Sequence, residues 1–239
     1  MKEFNLQHTL TSGQIFRYVF TENGAYVAHM NEAFFINEQG VSNHPNKKWF
    51  DHFIRADQEE LEHEHSYVQE ALEHTKGLRI LRQHPWECLL AFVISQNNNQ
   101  KRIEQNMQSL SRLSGEEITH GLYRMPLPKE LPPEEELRKI GLGYRARAIS
   151  ELKNIDLEWL YGLADKSYEQ AKKELQQLRG IGPKVADCIL LFSLGFDEAC
   201  PEDVWIKRIF TEHNITREEL GAKAGLYQQA LFHYSRTKK

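Results

Sequence analysis

Cysteine is scarce in this chain of 239 residues. Cys88, Cys188 and Cys200 are too few and too scattered for a disulfide scaffold, and no CxxC pair offers zinc-site spacing. Long apolar runs are missing as well. None approaches the roughly 18 residues of a membrane span, and the opening MKEFNLQHTLTSGQ has no apolar stretch of the signal-peptide kind. No excess of positive charge is present either, since the formal net charge is −4. These absences argue against a membrane protein, a secreted mini-domain and a uniformly basic nucleic-acid binder. What is present, 40% hydrophobic and 27% charged residues, is ordinary globular composition with enough apolar material for a sizeable core. A reducing cytoplasmic setting and a monomer are expected. The charge is uneven: residues 1–78 carry six Lys/Arg against twelve Asp/Glu, whereas residues 79–154 carry twelve against nine. Phosphate contacts depend on local patches rather than the sum, so duplex DNA remains a permitted partner.

The first 40 residues alternate apolar and polar positions around Asn23-Gly24, a hairpin signal, and predict an antiparallel sheet of three or more strands over about 4–42. Helical spacing takes over after residue 45. Helices are expected at 47–54, 66–75, from Pro85 through an apolar stretch, and at 99–113. The segment 114–133, with Gly115, Gly121 and four prolines, reads as a linker. Helices follow at about 133–140, 144–152, 156–163, 167–178, 183–194, 202–213 and 216–235. The expected fold class is α+β, mainly α: a small N-terminal antiparallel sheet domain, 1–77, packed on a helical body, 78–239.

The most informative stretch is Leu178-Arg179-Gly180-Ile181-Gly182-Pro183-Lys184-Val185-Ala186-Asp187-Cys188. One helix stops, two glycines allow a tight turn, and Pro183 opens the next helix where its missing N–H costs nothing. This is the sequence form of a helix-hairpin-helix, spanning about 170–195, whose free amides suit phosphate. Lys184 lies in the first helical turn, where the helix dipole disfavours an ammonium; a neutral amine is a nucleophile able to form Schiff bases. Taken alone, it reads first as a surface lysine beside phosphate. Asp203, 19 residues on, reads as the N-cap of the following helix or as a carboxylate facing Lys184. Spacing leaves both pairs of readings open.

Several ordered segments resemble the helix-hairpin-helix DNA glycosylase superfamily, and within it the 8-oxoguanine DNA glycosylase/AP lyase branch. They are Thr11-Ser12-Gly13-Gln14-Ile15-Phe16-Arg17, Leu78 to Gln83, Ser95-Gln96-Asn97-Asn98-Asn99, Gly141-Leu142-Gly143-Tyr144-Arg145-Ala146-Arg147, the hairpin with Asp203, and Ala224-Gly225 with Leu231-Phe232. The resemblance spans nearly the whole chain. It implies a bifunctional base-excision repair enzyme that flips 8-oxoguanine, paired with cytosine, out of duplex DNA and removes it. Strand cleavage by β-elimination through a lysine Schiff base would follow.

By that resemblance Lys184 and Asp203 are catalytic. Gly13, Cys188, Gln228 and Phe232 form the base pocket: the Gly13 carbonyl accepts the N7 proton that the oxidised base has and guanine lacks, Phe232 stacks on the base, Gln228 bonds its Watson–Crick edge and Cys188 contacts the opposite face. Asn97 fills the vacated space, Arg102 and Arg145 read the orphaned cytosine and Tyr144 wedges beside it. Gly180 and Gly182 form the hairpin that meets the backbone. Other readings stand beside these: capping by consecutive Asn, solvated charges at Arg145 and Arg147, core packing of Phe232 and Cys188, and a plain tight turn at Gly13. No cofactor is required by this chemistry, and no cysteine cluster supplies an iron–sulfur site; the hairpin leaves room for a monovalent or divalent cation. Trp205 stands where the best-known eukaryotic members have histidine, which affects one phosphate contact. The compact length suggests a bacterial, nucleoid-associated protein. Two rival functions fit the same fold: a glycosylase for alkylated bases or oxidised pyrimidines, and a non-catalytic DNA-binding module.

Overall fold

The computed structural model describes residues 3–238. Its first element is a helix, α1 (Leu6–Thr11), capped by the Asn5 side chain, which accepts from the His8 amide at 2.9 Å. The sheet follows as β1 (Tyr18–Thr21), β2 (Gly24–His29) and β3 (Glu32–Asn37), an antiparallel meander in that order. The expected sheet therefore begins later than residue 4. The period-two pattern near residues 6–11 is carried by a helix because the Asn5 cap satisfies a free amide and Leu6 and Leu10, one turn apart, are both buried. The hairpin turn itself is Glu22-Asn23, with Gly24 paired to Thr21 as the first residue of β2. A side chain there would collide with the Ile36 carbonyl on β3, which explains the glycine.

Nine more α-helices carry the described chain to residue 189: α2 (Lys47–Phe53), α3 (Ser66–His74), α4 (Pro85–Ser95), α5 (Gln100–Arg112), α6 (Glu134–Lys139), α7 (Arg145–Glu151), α8 (Leu157–Gly162), α9 (Tyr168–Leu175) and α10 (Pro183–Ile189). A π-helical turn, Leu190–Leu194, extends α10 and stops at Gly195 in the left-handed region. Then come α11 (Val204–His213), α12 (Arg217–Leu220) and α13 (Ala224–Thr237). The helix expected over 216–235 is thus two, separated at Gly221, whose φ of +61° ends the first.

The segment 114–133 is not a linker. It folds as a small hairpin, β4 (Glu117–Thr119) and β5 (Leu122–Tyr123), turning through His120 and Gly121, both with positive φ. Its end is fastened to the body: the Met125 amide donates to the Met30 carbonyl at 2.9 Å, and the Trp86 indole donates to the Pro126 carbonyl at 2.9 Å. The prolines terminate elements here rather than loosen the chain, because Leu122 and Met125 just before them are fully buried.

Three apolar clusters hold the molecule. The largest surrounds α4, which is buried from Trp86 through Ile94 and so acts as the central rod. A second lies between the sheet, α1 and α2. The third gathers α11, α12 and α13, and α3 joins it through Val68 and Ala71. The division expected at residue 77 therefore puts α3 with the sheet in sequence, while its packing is with the C-terminal helices.

Candidate active site and nucleic-acid interface

Gly13 sits between α1 and β1 with φ of +81°. A β-carbon added to it would lie 3.4 Å from the Phe232 ring, so the loop and α13 touch at this point. The loop is fixed from several sides. The buried Gln14 amide nitrogen donates to the carbonyls of Thr9 (3.0 Å) and Arg79 (2.8 Å) and to the Ser12 hydroxyl (3.0 Å), while its oxygen accepts from the Leu81 amide at 2.8 Å. Gln229 on α13 donates to the Ser12 carbonyl at 2.9 Å. His8 on α1 shares a 2.9 Å hydrogen bond with His233 on α13. Burial drives the His233 imidazole down to about 4, with help from His8 and Arg236, so it is neutral at pH 7.

Just behind that loop lies a buried ion pair. Arg17 is fully buried and meets Glu87 of α4 in two parallel contacts, Nε to Oε1 at 2.6 Å and Nη2 to Oε2 at 2.8 Å. Glu87 also accepts from the Met30 amide at 2.8 Å, and Arg17 donates to the Tyr123 carbonyl. Burial alone would raise the Glu87 carboxyl, but the Arg17 guanidinium overrides it and holds it below its ordinary value. The pair thereby ties together sheet, central helix and β4–β5 hairpin.

Gln228 lies on α13 one turn before Phe232. Its amide nitrogen donates to the Pro201 carbonyl at 3.1 Å, leaving its oxygen buried with no hydrogen-bond partner. Unpaired buried acceptors cost stability, and this one lies on the helix one turn before Phe232. Asp203 caps α11, accepting from the Ile206 amide at 2.9 Å, so the capping reading holds in the structure; its other oxygen is not used in that bond. Lys184, partly buried in the first turn of α10, hydrogen-bonds the Cys188 thiol one turn on and rests 5.5 Å from the centre of the Phe92 ring. The charges of Lys184 and Asp203 both act on Cys188, and no direct ion pair joins the two. Burial pushes the Cys188 thiol up to about 11, against the pull of Lys184.

The other predicted residues gather on a second loop. Asn97, exposed and left-handed at φ +47°, donates through its side chain to the Tyr144 hydroxyl at 3.0 Å. Tyr144 is 55% exposed. Arg145 is buried instead. Its Nε donates to the Gln96 carbonyl at 2.7 Å and Nη2 to the Asn97 carbonyl at 2.9 Å, with a further contact to Gln96. In this state it clamps the loop that carries Asn97, and its donors are not turned outward. Arg102 on α5 is exposed with no hydrogen bond from its guanidinium to any described residue. Asn99 does cap a helix, accepting from the Arg102 amide at 3.0 Å, as its alternative reading had it. Gly180, at φ +81°, brings the hairpin within 3.1 Å of Ala148 on α7, measured from where a β-carbon would be; Gly182 is exposed with open space around it. Among the described residues no cluster of three His, Cys, Asp or Glu side chains could hold a metal ion.

A family model for the N-terminal domain of 8-oxoguanine DNA glycosylase matches residues 47–89. An N-glycosylase/DNA lyase of Saccharomyces cerevisiae is 38% identical over 154 residues, 56% of this chain. By these matches the chain is similar to 8-oxoguanine DNA glycosylases. It spans about two fifths of the length of the yeast relative, 41%. Two solved structures share the fold throughout. The Clostridium acetobutylicum 8-oxoguanine glycosylase/lyase, in complex with double-stranded DNA containing cytosine opposite 8-oxoguanine, matches with a TM-score of 0.88 at 24% identity, covering 99% of this chain and 93% of that one. MBOgg1 in complex with a low-affinity DNA ligand matches at 0.85 with 29% identity and the same coverage of both chains.

Some residues that shape this candidate site escaped the sequence motifs. Gln229 and His233 have no distinguishing neighbours in sequence, although polar residues within the buried stretch of α13 are a usable signal. Arg236 lies one turn after Phe232, and that spacing could have been read as a stacked pair.

Proposed function

We infer that this chain excises 8-oxoguanine opposite cytosine from duplex DNA and cleaves the strand at the resulting abasic site. The observation that carries the reading is the contact of Gly13 with Phe232 on α13, with the unpartnered Gln228 oxygen one turn earlier on the same helix. A purine stacked on Phe232 would offer its N1 or exocyclic N–H to the Gln228 oxygen and N7–H to the Gly13 carbonyl. Guanine has a lone pair at N7, so the same carbonyl repels it, a difference on the order of 1–3 kcal/mol when left buried. The comparisons support the reading by family, and the two similar structures contain DNA.

The chemistry is assigned to Lys184 and Asp203, whose charges both reach Cys188. The Lys184 nitrogen attacks C1′ of the flipped nucleotide, and the bond to the base nitrogen breaks. Asp203 stabilises the positive charge that develops on the sugar. Opening of the ring gives a Schiff base, and loss of the C2′ proton expels the 3′ phosphate. Nothing in this sequence of steps calls for a cofactor. Asn97 and Tyr144 occupy the gap left in the duplex, Arg102 contacts the orphaned cytosine, and Gly180 and Gly182 present backbone to phosphate. Arg145 would need to release at least one loop carbonyl to reach that base. The monomer is taken to act on DNA without a membrane, in bacterial cytoplasm.

Borohydride trapping on a duplex with one 8-oxoguanine opposite cytosine tests this. Wild type should give a covalent protein–DNA band, and Lys184→Gln none. Base release without a band would reassign the attack to water. Neither release nor band would end the 8-oxoguanine reading.

A further inference from the structure

One cation at the mouth of this pocket has no role so far. Arg236 lies on the last turns of α13, four residues after Phe232, and its guanidinium stands over the Phe232 ring 5.1 Å from the centroid. One of its terminal nitrogens is 3.6 Å from where a Gly13 β-carbon would be. Arg236 is exposed, and among the described residues no carboxylate pairs with it. Its charge instead bears on His233, a neighbour that stays neutral at pH 7 and so cannot satisfy it. An arginine held on an aromatic ring beside a left-handed glycine, with no carboxylate pairing it among the described residues, keeps donors for a ligand that shares that ring.

We propose that Arg236 contacts the flipped base, donating from its guanidinium to a keto oxygen on the purine edge that Gly13 reads, and so acts as a specificity-determining residue. This rests on the function proposed above. N7 of the oxidised purine is flanked by the oxygens on C8 and C6, both acceptors. With the Gly13 carbonyl accepting from N7–H, a donor immediately beside it completes an acceptor–donor pair for that edge. Phe232 serves both groups as a platform, since base and guanidinium each stack on aromatic faces. A charged donor in a partly desolvated pocket is worth more than a neutral one, so its loss should be felt in base release.

Single-turnover assays on two substrates separate this role from its rivals. On a duplex with 8-oxoguanine opposite cytosine, Arg236→Met should lower the excision rate about ten- to a hundredfold. On the same duplex carrying a preformed abasic site, which has no base to contact, strand cleavage should fall at least about ten times less. Arg236→Lys, which keeps the charge but not the planar fork, should recover only part of the excision. Equal losses on the two substrates, with recovery by lysine, would mean a phosphate contact and overturn the proposal. Unchanged or faster excision by Arg236→Met would overturn it too, marking Arg236 as an occupant that the base displaces. A lowered Tm that accounts for the loss would make the residue merely structural. If wild type itself excises nothing from this duplex, the function proposed above fails and takes the inference with it; an active wild type with an unaffected variant removes the inference alone.

Discussion

The loops at Gly13 and Asn97 both use left-handed backbone, yet they are held in opposite ways. Around Gly13 the side chains do the holding. Gln14, Gln229 and Ser12 are all buried and bonded inward, and the glycine itself presents only backbone. Around Asn97 the clamp is applied from outside, by Arg145 on the loop carbonyls, and the Asn97 side chain is left exposed with a single bond to Tyr144. The first arrangement suits a fixed carbonyl against which a base is compared. The second suits a side chain that must leave its partner and enter a duplex. Rigidity is placed in the backbone in both cases; what differs is whether the side chains are committed to the fold or kept for the ligand.

That contrast predicts a graded response to substitution. The largest loss of stability should come behind the Gly13 loop. Arg17→Met strands the Glu87 carboxylate in the core and should cost about 3–5 kcal/mol, read by denaturant unfolding. A comparable variant on the Asn97 side would break the contrast.

Acidification is expected to act next, again on the buried side. Burial pushes His29 and His233 down to about 4, so each is neutral in the fold while the unfolded chain takes its proton near the ordinary value of 6.5. Stability is therefore complete above pH 6.5 and declines as pH falls toward 4. Glu87, held below its ordinary value by Arg17, adds a further loss only at lower pH still. Tm measured across this range should show the decline, and it should be shallower in His29→Phe, because His29 packs edge-on against Trp49 and Phe53.

Smaller again is Gln229→Leu, which removes the donor to the Ser12 carbonyl and should cost about 1–3 kcal/mol. Its sharper readout is the ratio of 8-oxoguanine to guanine excision, which should fall as the Gly13 carbonyl loses its fixed direction. The least effect on folding belongs to Asn97→Ala, below about 1 kcal/mol from the left-handed backbone alone. Preference for cytosine opposite the lesion should weaken in that variant. Equal unfolding costs at Gln229 and Asn97 would show that the two loops are not built differently after all.

Much of this was legible in sequence, for a physical reason. The GxG turn with Pro183, the all-round apolar run after Pro85 and the strand alternation around Asn23-Gly24 are local signals that tertiary packing agreed with. The segment 6–11 was not legible, since one buried face of a short helix and alternation on a strand select overlapping positions. The segment 114–133 misled because prolines end elements as readily as they mark loose chain. At the site, residue types were readable but their commitments were not: Arg145 bonds the loop instead of facing outward, and Arg236 acquires its position only from the packing of α13 on Gly13. Long-range hydrogen bonds such as Gln229 to Ser12 leave no periodic trace.

The three cysteines are all buried, and burial raises each thiol: Cys88 well above its ordinary value, Cys188 to about 11 and Cys200 to about 12. Peroxides and alkylating electrophiles react with the thiolate, and at neutral pH a thiol at 11 is ionised in only about one molecule in ten thousand. Cys188 lies against the proposed nucleophile, where a sulfenic acid would occupy the space beside the amine. The dry packing of α10 thus shields the site from the same oxidants that damage guanine, and the chain can be expected to keep its thiols reduced under peroxide stress.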